Sequence, residues 1–300
     1  MWLTLGTHHY VVIGGVRNVI ARLTEGVQHL HLSSPITSIR IDDEDTRCIT
    51  ISCLVDGENI DYSGFRHVVL ATQASGAVPI LNKYLQTIPE KLAHRKESIQ
   101  NLVRCLQSFD YRTSIVINHT DNTLLPDNGR DTRDLNLISV DSRTDPLMVE
   151  SKEFTGLSVP LSYTMATHIL SKPKEISLGP VSFFQTTNPI IPPKKETLLS
   201  VASLERAIVT QKSRLALKSL CVSGSKQWWQ CPYEATTHLG ELQGMSSKID
   251  NTAPGIWVCG SYAHLGIPLL EGCVVSARNI VEQGILKREG AKWTSEPWTI

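Results

Sequence analysis

The chain has no excess charge of either sign: its 300 residues carry 29 Lys and Arg against 29 Asp and Glu. Such a balance lacks the basic footprint of a nucleic-acid binder or of a protein drawn to anionic membranes. No apolar run approaches the roughly 20 residues needed to cross a bilayer, so no transmembrane helix is expected. The opening residues, Met1-Trp-Leu-Thr-Leu-Gly-Thr-His-His, lack the basic-then-apolar order of a secretory leader, and a cytoplasmic location is the expectation that follows. C-x-x-C spacing is absent as well. The seven cysteines, at 48, 53, 105, 221, 231, 259 and 273, are odd in number and several stand in apolar runs. They read as buried free thiols of a reducing compartment. Without a G-x-S-x-G elbow a hydrolase triad has no anchor, and without G-x-x-x-x-G-K-[ST] there is no Walker loop. His8-His9 and the pair His29 and His31 have no companion Cys or carboxylate pattern, so no metal site is expected.

What is present supports a packed core. Hydrophobic residues make up 41 % of the chain, too many for a disordered one, and the length suits one large domain or two smaller ones. Val16, Val19, Ile20 and Leu23 have helical spacing, with Gly26 where a C-terminal cap belongs. Val27–Leu32, Ile36–Ile41 and Arg47–Val55 alternate as strands do. Asp56-Gly57 then turns the chain into Asn59-Ile-Asp-Tyr, predicting a β-hairpin. His67-Val-Val-Leu-Ala-Thr72 reads as a buried parallel strand and Ala77–Leu85 as a helix. Further on, Pro89–Phe109 predicts a helix, and Tyr111–Asn118, Leu135–Val140, Leu161–Leu170 and Val181–Thr187 predict strands. Pro189–Pro193 is a break, and Ser203–Leu220 reads as one helix. Asp42-Asp-Glu-Asp45 reads as a solvated acidic loop, and Trp228-Trp229 as either a pocket wall or an aromatic core contact.

The last third is the most informative. Gly255-Ile-Trp-Val-Cys-Gly-Ser261 is a short buried strand, 262–268 is a loop, and Leu269–Glu282 is a helix opening with small residues. A glycine at a strand end lets a ligand approach the backbone. The helix start turns unpaired N–H groups and a positive dipole end toward the loop, where a phosphate, a carbonyl oxygen or an anionic ring can be held. Read from the residues alone, an ordinary close-packed βα unit explains the same pattern.

The run Gly255-Ile-Trp-Val-Cys-Gly-Ser-Tyr-Ala-His-Leu-Gly-Ile-Pro-Leu-Leu-Glu-Gly-Cys-Val-Val-Ser-Ala-Arg278 resembles the C-terminal flavin motif of the FAD-dependent amine oxidase and phytoene-desaturase-like superfamily. Three further segments are similar to the family in its order: Gly14–Leu23, Ser33-Ser-Pro-Ile-Thr-Ser-Ile39, and Phe65–Leu81 with its Val-Val-Leu-Ala-Thr core. The resemblance implies an α/β fold, a partial FAD-binding Rossmann-like three-layer domain with an inserted α+β substrate domain. Its FAD-binding segments would be 1–80 and 255–285, its substrate-type domain 81–254 and its C-terminal tail 286–300. It implies FAD as cofactor, with Gly260 and Ser261 near the ribityl–phosphate region, backbone N–H groups of Leu270, Glu271 and Gly272 offered to the flavin, Tyr262 and His264 lining the ring, and Ile36 contacting the adenine. The implied activity is flavin-mediated oxidation, desaturation or isomerisation of a small organic molecule. No catalytic base is named.

Two departures bear on that expectation. The family's leading strand–G-x-G-x-x-G–helix is absent, so a domain's worth of chain, about 150–200 residues, would stand in front of Met1. Ser261 stands where many relatives have a carboxylate. A truncated member, an incomplete gene model and a fragment working beside another polypeptide or as a homo-oligomer all fit. The alternative function is an inactive fragment that acts only by binding a partner.

Overall fold

The computed structural model describes residues 15–139, 163–170, 182–224, 237–245, 253–266 and 268–292. The chain is α/β, and its contacts define two compact units: one from Met1–His31 and Thr113–Glu205, the other from Leu32–Arg112 and Arg206–Ile300.

In the first unit, helix α1 (Val16–Thr24) stands where the spacing placed it, and none of its residues is buried. Val27–Leu32 forms no strand. Alternation is necessary for a half-buried strand but not sufficient, because a strand also needs a hydrogen-bonding neighbour. The remainder is a five-stranded sheet of β5 (Asp110–His119), β6 (Leu135–Ile138), β7 (Met165–Leu170), β8 (Phe183–Thr187) and β9 (Leu198–Ile208), in the order β6-β7-β8-β5-β9. The pairs β6–β7, β7–β8 and β8–β5 are antiparallel. The division between the units falls within β5 and β9.

The second unit opens with an antiparallel meander, β1 (Ile36–Ile41), β2 (Ile49–Val55) and β3 (Glu58–Phe65). Asp56 and Gly57 both have positive φ, 50° and 88°, as a two-residue type I′ turn requires. The loop at 42–45 differs from its solvated expectation. Asp42 is buried, and its carboxylate accepts from the N–H groups of Glu44, Asp45 and Gly64 and from the Thr50 hydroxyl.

Next comes the element that positions the candidate site. Strand β4 (His67–Leu70) lies parallel to β12 (Gly255–Val258) in a two-stranded sheet. Each strand leads into a helix, β4 into α2 (Ala74–Thr87) and β12 into α5 (Leu270–Asn279). Both edges of β12 are occupied, one by β4 and the other by the buried Gln243. That side chain donates to the Val258 carbonyl (2.8 Å) and accepts from the Val258 N–H (3.0 Å), as a neighbouring strand would. Among the described residues no strand pairs with the other side of β4, and Val69 there is 40 % exposed.

The core forms where α2 and α3 (Ala93–Leu106) turn their apolar stripes to these sheets. Ala74, Ala77, Leu81 and Tyr84 repeat at helical spacing on α2, as do Ile99, Leu102, Val103 and Leu106 on α3. Each fully buried Leu or Ile here contributes about 1.5–3 kcal/mol.

Ser203–Leu220 is not one helix. Its first part belongs to β9, and α4 (Gln211–Leu217) begins only after Thr210. The Thr210 hydroxyl accepts from the Ser213 N–H while Ser213 Oγ accepts from the Thr210 N–H. Strands β10 (Cys221–Ser223) and β11 (Thr237–Leu239) pair antiparallel. The last helix outruns its predicted end. After α5 it passes through a π-helical stretch, Ile280–Ile285, into α6 (Leu286–Glu289). Around this stretch Trp257, Cys259 and Ile280 make a second small core. His8-His9, Gly14, Cys231 and Trp228-Trp229 lie outside the described residues. Among the described residues no helix is long and apolar enough to cross a membrane.

Candidate functional site

The site is built on the carboxyl ends of β4 and β12, which stop side by side. A Cβ placed on Gly260 would lie 3.9 Å from the Thr72 carbonyl, and 3.0 Å from the Tyr262 ring. With φ at +150°, position 260 takes a conformation that side chains disfavour. The turn is then sewn to α5. The Gly260 N–H donates to Ser276 Oγ (3.0 Å), and that buried hydroxyl is also within 3.1 Å of the Cys273 carbonyl. Gly272 makes the seating possible, because a Cβ there would stand 3.2 Å from the Ser261 carbonyl and from the His264 Cβ. Gly260, Ser261, Tyr262, His264 and Gly272 are thus brought together, with Ser276, which the sequence reading passed over, as the clasp.

Leu270 and Glu271 lie on the exposed side of the opening turn, Leu270 at 82 %. No side chain caps this helix start, and the Gly272 N–H donates to the Leu269 carbonyl (3.0 Å). Ile36, at the start of β1, is 41 % exposed and lies further along α2. Lys83 reaches from that helix to the Thr37 carbonyl (2.7 Å). From Ala74 to Lys83 the helix rises about 14 Å.

On the other side of the turn is a cavity of about 320 Å³. Tyr262 and His264 line it together with Phe109, three residues past α3, Arg214 and Leu217 of α4, and Lys218 at the C-terminal cap of α4. Phe109 and Tyr262 pack edge to face, ring centroids 5.1 Å apart. The Tyr262 hydroxyl and His264 Nδ1 are buried, and among the described residues they have no hydrogen-bond partner. Burial pushes the Tyr262 hydroxyl far above the usual tyrosine range, and nearby Tyr111 adds to the shift, so it stands protonated. The thiol of Cys259 is pushed up to about 11, by burial first and then by nearby Cys273.

Two other polar groupings have their histidine nitrogens satisfied. In the second unit His67 Nδ1 accepts from the Trp257 indole (3.1 Å), so its Nε2 carries the proton given to Glu289 (2.8 Å). In the first unit His119, fully buried, accepts from the Asp121 N–H (3.2 Å) and donates through Nε2 to Thr186 (2.7 Å). With both ring nitrogens engaged, neither imidazole is free to act as a base. Among the described residues no group of His, Cys, Asp and Glu is arranged to hold a metal ion.

The residues present fit a flavin in part. The glycine turn and uncapped α5 start leave backbone open to a ligand, and orphaned polar atoms of Tyr262 and His264 adjoin them. Neither models of known protein families nor curated proteins give a match to this chain.

Proposed function

We propose that the chain is an FAD-dependent oxidoreductase of the amine-oxidase-like superfamily, with a partial Rossmann-like domain, acting on a small organic molecule. One observation carries the reading. Two parallel strands from opposite ends of the sequence end side by side, each feeding a helix, which is the arrangement that binds nucleotides at the carboxyl edge of α/β sheets. The start of α5 presents the N–H groups of Leu270 and Glu271 and its dipole to an electron-rich ring edge. Gly260 and Ser261 let a ribityl–phosphate chain lie against backbone. Ile36, a helix length away along α2, suits the adenine end of an extended dinucleotide. Bound flavin supplies a two-electron acceptor for a hydride from the substrate. Tyr262 and His264 orient what lies beside it and keep water out.

The test is the visible spectrum of the purified chain after incubation with FAD and gel filtration. Retained flavin absorbance is the expected result, and a folded chain that stays colourless overturns the proposal. A second reading, a non-enzymatic partner-binding protein, draws on the side of β4 that no strand among the described residues pairs with, and on exposed Leu269, Leu270 and Val274. A monomeric, flavin-loaded preparation argues against it.

A further inference from the structure

The geometry points to the cavity beside Tyr262 as a site for a small monocarboxylic acid with an aromatic or branched aliphatic body. In naming this acid as substrate the inference rests on the flavin reading, but its binding does not. The body of such a ligand has its counterpart in Phe109 and Leu217, both buried and apolar. Its charge has a counterpart at the rim. Arg214 and Lys218 stand four residues apart at the end of α4, and among the described residues neither takes part in an ion pair. Like charges at this spacing repel, and an anion between them relieves the repulsion. The described lining contains no Asp or Glu, which disfavours an amine. Two rim cations with no cradle of backbone N–H groups suit a carboxylate better than a phosphate dianion.

The floor is the Tyr262 side chain. Tyr262 is only 5 % exposed, and among the described residues its hydroxyl has no hydrogen-bond partner. That hydroxyl is sealed from the cavity, beside Tyr111, Cys259 and Cys105, which do not line it, so Tyr262 gives the cavity its ring, packed edge to face on Phe109.

The experiment is calorimetric titration of the whole chain, without added FAD, using 3-phenylpropanoate as probe and 3-phenylpropanamide as its uncharged analogue. The acid is expected to bind and the amide to bind several-fold more weakly. Arg214→Gln and Lys218→Gln are each expected to raise Kd about threefold to fivefold, in keeping with partly exposed charge pairs. Tyr262→Phe, which keeps the ring against Phe109 and removes only the sealed hydroxyl, is expected to leave Kd unchanged. Equal affinity for acid and amide, no binding of the acid at millimolar concentration by chain with a folded circular-dichroism spectrum, or an unchanged Kd in both Arg214→Gln and Lys218→Gln would each overturn the assignment. A chain that binds the acid but never retains FAD keeps this site and refutes the flavin, and the converse result does the reverse.

Discussion

Replacing Gly284 by alanine sets two effects of opposite sign against each other. Within a helix, Gly→Ala is worth about 1 kcal/mol in favour of folding. Gly284, however, is buried in the π-helical stretch, and a Cβ there would lie 2.4 Å from Cζ3 and 2.6 Å from Cη2 of Trp257. Carbon atoms at rest stand about 3.5–4.0 Å apart, so the methyl overlaps the ring by more than an ångström. Retreat is hindered on the far side, where a Cβ on Gly244 would lie 2.5 Å from the same ring. Overpacking of this kind costs about 1–3 kcal/mol, and two ring atoms in overlap place it at the upper end. The net expectation is a loss of about 2 kcal/mol, which at a typical urea slope near 2 kcal/mol/M moves the midpoint down by about 1 M. Trp257→Phe removes the outer ring edge, and in that background Gly284→Ala is expected to stabilise by about 1 kcal/mol, a coupling of about 3 kcal/mol. Urea unfolding followed by far-UV circular dichroism measures all four corners of the cycle. A Gly284→Ala variant as stable as the parent, or equally destabilised in both backgrounds, would refute the close approach on which the estimate stands.

Other outcomes follow from single residues. Thr210→Ala removes the cap of α4 at a cost of about 1 kcal/mol, read as faster hydrogen exchange at the Ser213 and Arg214 amides. The N–H of Glu44, set against the desolvation of Asp42 and joined by further donors, holds that carboxyl below the ordinary aspartate value. Its stabilisation is therefore complete above about pH 4 and is lost as the pH falls through the lowered native value. Asp42→Asn is expected to lose stability at neutral pH and to flatten the acid limb of the stability profile; an acid limb identical to the parent's speaks against this role. Burial lifts the thiol of Cys105 to about 12 and that of Cys259 to about 11, whereas Cys273 is partly exposed. Mass-spectrometric mapping after brief iodoacetamide treatment at pH 8 is expected to find Cys273 alkylated well ahead of both.

What could be read from the sequence was governed by local chemistry. The Asp56-Gly57 turn and the runs at 67–70 and 255–258 declared themselves because positive φ and unbroken apolar strands each leave a compositional mark. Ser203–Ile208 misled because Leu204, Glu205, Arg206 and Ala207 are good helix formers, while pairing within the five-stranded sheet decides their state. The true helix start was signalled by Thr210 and Ser213 but outweighed by the longer spacing pattern. Asp42 was hidden because an aspartate among three other acidic residues looks solvated until its four donors, one from as far away as Gly64, are in place. The candidate site was half legible. The residues from 260 to 272 come from one continuous stretch, but Phe109, Arg214, Leu217 and Lys218 carry no motif, and only folding brings them to Tyr262.

The carboxamide of Gln243 makes the parallel sheet a one-sided template. With Val258 already hydrogen-bonded by that side chain, the edge of this sheet left unpaired among the described residues runs along His67–Leu70. The direction of whatever docks there is itself diagnostic. A two-fold copy of the chain meeting its own edge must run antiparallel to it, whereas a strand delivered by a helical crossover runs parallel.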